Sequence, residues 1–454
     1  MRKSVFPILV LLVGFLWNCV NLSPLDSLNQ DNSENFGAGD TTYILINPVW
    51  DESFGLESPV EISLARDGHL FIADSSARSI RVFDRSGHQL TGFDPLEELT
   101  IPGTSNPLVP IDVDVDSKMN VLYIDGSNRI YVWNQIWNSI GIEAYAESGD
   151  FIEDGTGNVI RASAGSAEWV ELANDPDWTL DNIHWSQSAT ILDSILQPHV
   201  LFDGSWLVNQ MADLYYSSDD SRFSAISATK GNDNFLFAAD QAQDRIIKIK
   251  LEHALWVRNA DGDEFWTHRG VFGGTIAQYG TGSGTVNNPV GMDVDYTGAV
   301  YYTQLGDYFS VHKIRPVVTG GYTTYSSVFQ PGVNNIMDLG RFDRPLDVAV
   351  DQNQMIYVAN SEAREIQVFT HNGNLFKKIG VEQVLVDTTW WEFNGTDTVE
   401  VDTFVVREVA DFLVNPSAVT ADDQGVVYVC DTPAHRIVRY RLSNVLDENL
   451  ILNP

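Results

Sequence analysis

The chain has 454 residues, 44% of them hydrophobic, with 12 Trp, 16 Tyr and 22 Phe, ample material for a large core. Its 62 acidic residues against 27 basic ones give a formal charge of −35, which repels nucleic-acid phosphates and anionic lipid headgroups and excludes both as partners of the bare surface. Two cysteines, Cys19 and Cys430, are too few for a disulfide framework, and Cys430 in the apolar run VVYVC reads as a buried, inert thiol.

Taken from the amino end, Arg2 and Lys3 precede an uncharged run from Val5 to Trp17. The run is shorter than the roughly twenty residues a bilayer span needs and matches the apolar region of a signal peptide. It stops at Leu16, Trp17, Asn18 and Cys19, with no small-x-small cleavage site. This ending resembles a bacterial lipoprotein signal, with Leu16 in the family's pattern and Asn18 where Gly, Ala or Ser is usual. The resemblance implies a signal peptide over 1–18 and lipidation of Cys19. Plain secretion and an uncleaved anchor are the alternatives. Residues 19–40, rich in Asn, Ser and Asp, then read as a flexible tether. The expected location is the bacterial cell envelope, in the outer membrane or at the cell surface, with a secreted or periplasmic protein as the alternative. Membrane contact would run through the anchor only.

After the tether, Tyr43 to Ile46 is a short apolar strand, and then one pattern recurs six times. Each copy has a proline, an alternating strand, a tight turn, an Ile/Leu/Tyr-rich strand ending near Asp, and an Arg-Ile strand. Copies start at Pro59, Pro110, near Arg222 without the proline, at Pro289 with Thr303 at the expected Asp, at Pro345 and at Pro416. In the Pro345 copy, Leu346, Val348 and Val350 alternate with Asp347, Ala349 and Asp351, the period of a strand with one buried face. Met355 to Ala359 has almost no polar position, as expected of a strand covered on both faces. Such a unit cannot bury its faces alone and must stack on its neighbours.

The pattern resembles the NHL repeat of β-propellers. The resemblance implies an all-β ring, one four-stranded antiparallel blade per repeat, around a central channel. Six blades are expected, with a seven-bladed ring as the alternative if His199 to Tyr216 hides a degenerate blade. The propeller would span 41–454, with insertions at about 134–222 and 381–411. The last copy supplies three strands, so Tyr43 to Ile46 is expected to complete the last blade and latch the ring.

Candidate chemistry lies on the innermost strands. Two and four residues after the prolines stand Glu61, Asp112, Asp114, Asp293 and Asp347, on the polar side of the alternation. Five converging carboxylates repel one another unless protonated, hydrated or bridged by a cation, and an oxygen-rich set favours calcium over zinc. Solvated channel residues without an ion are the plainer reading, and no metal or other cofactor is firmly assigned. Asp116, Asp295, Asp351 and Asp422 fall at strand ends, where Asp bonds the local backbone.

Other cues are weaker. Glu57, Ser58 and Pro59 resemble the Glu-Gly-Pro opening of gluconolactonase-like propellers, but the partner segments are missing. Amidating lyases also use NHL propellers, with histidines around zinc; none of the nine histidines here forms a ligand-spaced pair. Asn259 to Glu264, flanked by Trp256 and Trp266, suits a hairpin turn better than a calcium loop. Trp137, Trp169, Trp178, Trp185 and Trp206 crowd the first insertion, and Trp390 with Trp391 mark the second. Exposed aromatics on loops suit a glycan or protein ligand. The sequence therefore points to a binding module more than an enzyme, the alternative being a divalent-metal-dependent hydrolase or lyase at the channel mouth.

Overall fold

Each repeat folds as an antiparallel sheet whose first strand faces the ring axis. The computed structural model describes residues 35–36, 42–89, 95–102, 104–134, 151–153, 159–161, 198–205, 221–231, 233–259, 264–381, 383–393, 398–408 and 412–443. Before the first blade lie β1 (Asn35–Phe36) and β2 (Thr42–Trp50). Blade 1 holds β3 (Pro59–Leu64), β4 (Leu70–Asp74) and β5 (Ser79–Phe83). Its fourth position is taken by Gln89 and Leu96, which bridge Phe83 and Ile80. Blade 2 holds β6 (Asp112–Val115), β7 (Asn120–Ile124) and β8 (Arg129–Asn134), and within the following stretch are β9 (Phe151–Glu153), β10 (Val159–Arg161) and β11 (His199–Asp203). Strand β11 pairs with β8 as the outer strand of blade 2, so His199–Asp203 opens no seventh blade.

Blade 3 holds β12 (Phe223–Ala228), β13 (Phe235–Asp240), β14 (Arg245–Asn259) and β15 (Glu264–Ala277). Strands β14 and β15 pair along a long hairpin, with Leu255 opposite Trp266, and β9 pairs with the end of β14. The residues between Asn259 and Glu264 thus link the two strands of a hairpin. Blade 4 holds β16 (Pro289–Val294), β17 (Val300–Gln304), β18 (Val311–Thr319) and β19 (Tyr322–Ser327). Blade 5 holds β20 (Pro345–Val350), β21 (Ile356–Asn360), β22 (Glu365–Phe369) and β23 (Leu375–Ile379). Strands β24 (Gln383–Phe393) and β25 (Thr398–Glu408) follow, then β26 (Pro416–Ala421), β27 (Val426–Asp431) and β28 (Arg436–Ser443) of blade 6.

Strand β2 pairs antiparallel with β28, placing Tyr43 opposite Leu442 and Ile46 opposite Arg439. The amino-terminal strand therefore completes the last blade, and each inner strand touches the next, from β3 through β26 and back to β3. The Arg439 guanidinium clasps the closure, donating to the carbonyls of Pro48 and Arg85. Among the described residues the core falls into six wedges, one between each pair of neighbouring blades. In the closing wedge Trp50, Phe83 and Tyr428 pack together with ring centroids 5.7 Å apart. Trp390 and Trp391 fall on β24; Cys19 and the tryptophans at 137, 169, 178, 185 and 206 lie outside the described residues.

Among the described residues, β1 and most of β24 and β25 belong to a smaller unit with its own internal contacts. In it β24 pairs with β25 on one side and runs parallel to β1 on the other, with Asn35 opposite Leu385. Among the described residues no helix is long and apolar enough to cross a membrane.

Candidate functional site: the axial channel

Two sets of aspartates build the blades. The turn residues Asp295, Asp351 and Asp422 each accept backbone N–H groups within their own turn and the hydroxyl of a tyrosine on the next strand, at 3.1–3.2 Å from Tyr301, Tyr357 and Tyr428. Asp116 accepts from Lys118, from the Asn120 backbone and from the Asn120 amide instead. At the end of the second strand, Asp74 accepts from the N–H groups of Glu57 and Ser58, and Asp431 from those of Val414 and Asn415. The Pro289 repeat is read differently in the structure. Gln304, not Thr303, pairs with Pro289, and its side chain accepts the Asn287 N–H, the role Asn360 plays for Asp343 in blade 5.

The five carboxylates singled out on the inner strands do come together. Glu61, Asp112, Asp114, Asp293 and Asp347 border one axial concavity of about 410 Å³. Four of them reach across to the next blade. Asp112 Oδ2 accepts the Ile226 N–H at 2.6 Å, and Asp114 Oδ2 that of Ala228 at 2.7 Å. Asp293 Oδ2 accepts the Val350 N–H at 2.8 Å and Asp347 Oδ2 that of Val419 at 2.9 Å. Among the described residues Glu61 accepts only the N–H of the next residue, Ile62, at 3.0 Å, while Ser63 donates to Asp114 Oδ1 at 2.6 Å. Inner-strand amides that face a neighbouring blade cannot join their own ladder, so an acceptor from that neighbour satisfies them. Gly291 departs from the acidic pattern for a steric reason: a Cβ there would lie 2.4 Å from the Leu346 carbonyl oxygen, inside the backbone of blade 5.

Lys230 is the site residue that the sequence pattern missed. Its ammonium lies 3.7 Å from Asp114 Oδ1 and 3.4 Å from Asp293 Oδ1. It sits just beyond the inner strand of the one repeat lacking a proline, where no leading proline sets the register. A lone lysine at the strand end, in ISATKG, was the available signal. Burial alone would depress its pKa, but Asp114 and Asp293 outweigh that and raise it. Burial pushes Glu61 well above the usual carboxylate range, with Asp347 and Asp112 adding repulsion. Asp112 is likewise raised by burial, against the Ile226 hydrogen bond, and Asp293 is raised by burial against Lys230. Asp347 is pushed up to about 7 by burial, opposed by the Val419 and Val348 N–H groups.

Among the described residues no three His, Cys, Asp or Glu side chains form a group that could hold a metal ion. Lys230 places a positive charge beside Asp114 and Asp293. Two histidines, His312 and His435, are built into the scaffold. His312 accepts from Gly284 N–H, bonds the Phe309 carbonyl and is held down to about 4 by burial. His435 takes a left-handed conformation and bonds the Glu57 carbonyl, while Glu57 itself is exposed and away from the channel lining. Cys430 is fully buried, and burial drives its thiol pKa well up.

The NHL repeat family matches residues 413–440, most of blade 6. The chain is a six-bladed β-propeller of antiparallel blades carrying an NHL repeat. No curated protein sequence matches it. Among solved structures, a streptogramin B lyase is similar at 12% identity and a TM-score of 0.41, over 90% of this chain and 100% of that one. A gluconolactonase from Xanthomonas campestris is similar at 9% identity and 0.42, over 90% and 99%. An auxiliary nutrient binding protein from Bacteroides thetaiotaomicron is similar at 9% identity and 0.47, over 89% and 76%. At these scores no function is carried over from any of them.

Proposed function

We propose that the protein is a binding module of the bacterial cell envelope, held by a lipid on Cys19, whose propeller presents loops to a glycan or protein ligand. The observation that supports this most is the engagement of the channel acids. Asp112, Asp114, Asp293 and Asp347 each accept a backbone N–H from the neighbouring blade, and Asp114 and Asp293 share Lys230. Carboxylates held this way join blades, leaving ligand recognition to the surface loops. The Asn-, Ser- and Asp-rich composition between Cys19 and β1, and the tryptophan-rich insertions, agree with a head displayed on a tether.

Two measurements test the reading. Cys19→Ser should move the protein from the membrane to the soluble fraction; unchanged membrane association refutes the anchor. Metal analysis of the purified chain separates binding from metal-dependent hydrolysis or lysis. Stoichiometric calcium that disappears in the Asp112→Asn, Asp347→Asn double variant would favour the enzyme. Ligand capture by metal-free protein supports the module.

A further inference from the structure

The inner strands end at a second concavity, distinct from the acidic channel and opposite the face where those strands begin. It opens over about 500 Å³ and is lined by residues from all six blades. In a protein of charge −35 its chemistry is unusual, because three cations meet there: Arg66, Arg85 and Lys230. They are not equivalent. Arg85 is fixed by Asp423 at 2.5 Å and lies 3.7 Å from Asp422. Lys230 forms the floor, bordering both concavities, with its long contacts to Asp114 and Asp293 directed down the channel. Arg66 is exposed, and among the described residues no carboxylate pairs with it. Tyr296, 57% exposed, stands at the same rim.

We infer that this mouth binds the carboxylate of an acidic sugar, a uronic acid carried on an otherwise neutral glycan, with Arg66 gripping the carboxylate and Tyr296 stacking on the ring. The inference rests on the binding-module reading and names the ligand class and the place. A guanidinium without an acidic partner presents parallel N–H groups that match a carboxylate in two-point fashion. The Lys230 ammonium forms the floor beneath it, held by Asp114 and Asp293. The exposed Tyr296, from blade 4 across the same concavity, offers an apolar face to a pyranose, while Ser117, Gln352 and the Arg85-held Asp423 present hydroxyl-matching groups. The net negative charge opposes a long polyanion but is screened beyond about 8 Å at physiological salt, so one carboxylate is admitted where many would be repelled.

A matched pair of probes decides the matter: methyl glucuronide and methyl glucoside, differing at the sugar's C6, titrated calorimetrically into the soluble Cys19→Ser chain. The glucuronide should bind at least tenfold more tightly. Arg66→Met should abolish that preference, and Tyr296→Ala should weaken the glucuronide by about tenfold at unchanged thermal stability. Equal affinities for the two sugars, an Arg66→Met variant that keeps the preference, or inorganic phosphate binding here more tightly than the glucuronide each overturn the inference. Capture of other glycans or proteins with neither sugar bound overturns it too, while leaving the binding-module reading standing. Metal-dependent turnover sinks the module reading instead.

Discussion

Lys230 and Asp347 carry opposite parts of the channel's electrostatics. Replacing Lys230 with Met leaves Asp114 and Asp293 facing each other's field without a cation. Breaking a buried pair from one side costs about 3–5 kcal/mol, and the 23% exposure of this lysine places the expected loss near the lower figure. Urea unfolding reads it directly, and a variant within 0.5 kcal/mol (about the usual scatter of surface substitutions) would deny Lys230 its structural role. Asp347 sets the pH response. Its carboxyl keeps its proton to about pH 7 in the folded chain, against an ordinary value of 3.8. The native state thus binds more protons than the unfolded one within that window. Stability should fall as pH rises from about 4 to 7, by about 1.4 kcal/mol per pH unit for each such proton, and then level off. The upward shifts of Glu61 and Asp112 act in the same sense. Melting temperatures measured from pH 5 to 7.5 should decline, and Asp347→Asn should flatten the decline. A rise with pH, or an unchanged slope in the variant, contradicts this assignment.

At the scale of the blade, the second-strand aspartate is worth more than any surface ion pair. Asp431 accepts the N–H groups of Val414 and Asn415 and holds Arg436, while itself fully buried. Asp431→Ala orphans these donors together, with an expected cost of about 3 kcal/mol. The Arg344–Glu362 pair is more than half exposed on both sides, so Glu362→Ala should change stability by less than about 0.5 kcal/mol. Denaturant midpoints of the two variants should differ accordingly; equal effects would mean the loop pins carry no energy of their own. Substitutions at this position follow the same geometry. Gln304 and Asn360 keep a side-chain carbonyl for the same backbone donor, so the pin survives without the acid.

At the scale of the ring, closure depends on β2. It covers the edge of β28 and brings Trp50 into the wedge between blades 6 and 1. Deleting residues 42–50 should abolish cooperative unfolding and expose apolar surface to dye binding, because an open edge and the loss of a buried tryptophan, about 3–5 kcal/mol, coincide. Bridging across residues 384–407 instead leaves every blade strand in place, so the ring should melt within about 3 °C of the intact chain. A cooperative ring without β2, or one that collapses without the second unit, would reverse this assignment of roles.

Repeat count, blade order and the closing strand were legible because they are periodic: Pro59, Pro345 and Pro416 open near-identical alternations, and a strand covered on both faces has few other folds open to it. The inner-strand acids were legible for the same reason, since alternation sends Glu61, Asp112, Asp114, Asp293 and Asp347 to one side. Their partners were not. Ile226, Val350 and Val419 donate across blade junctions, and Lys230 enters from a repeat whose spacing hides it. Periodicity records what each residue does within its own strand. Which amide or ammonium meets a carboxylate across the axis depends on how adjacent blades are offset, and that exists only once the ring has closed.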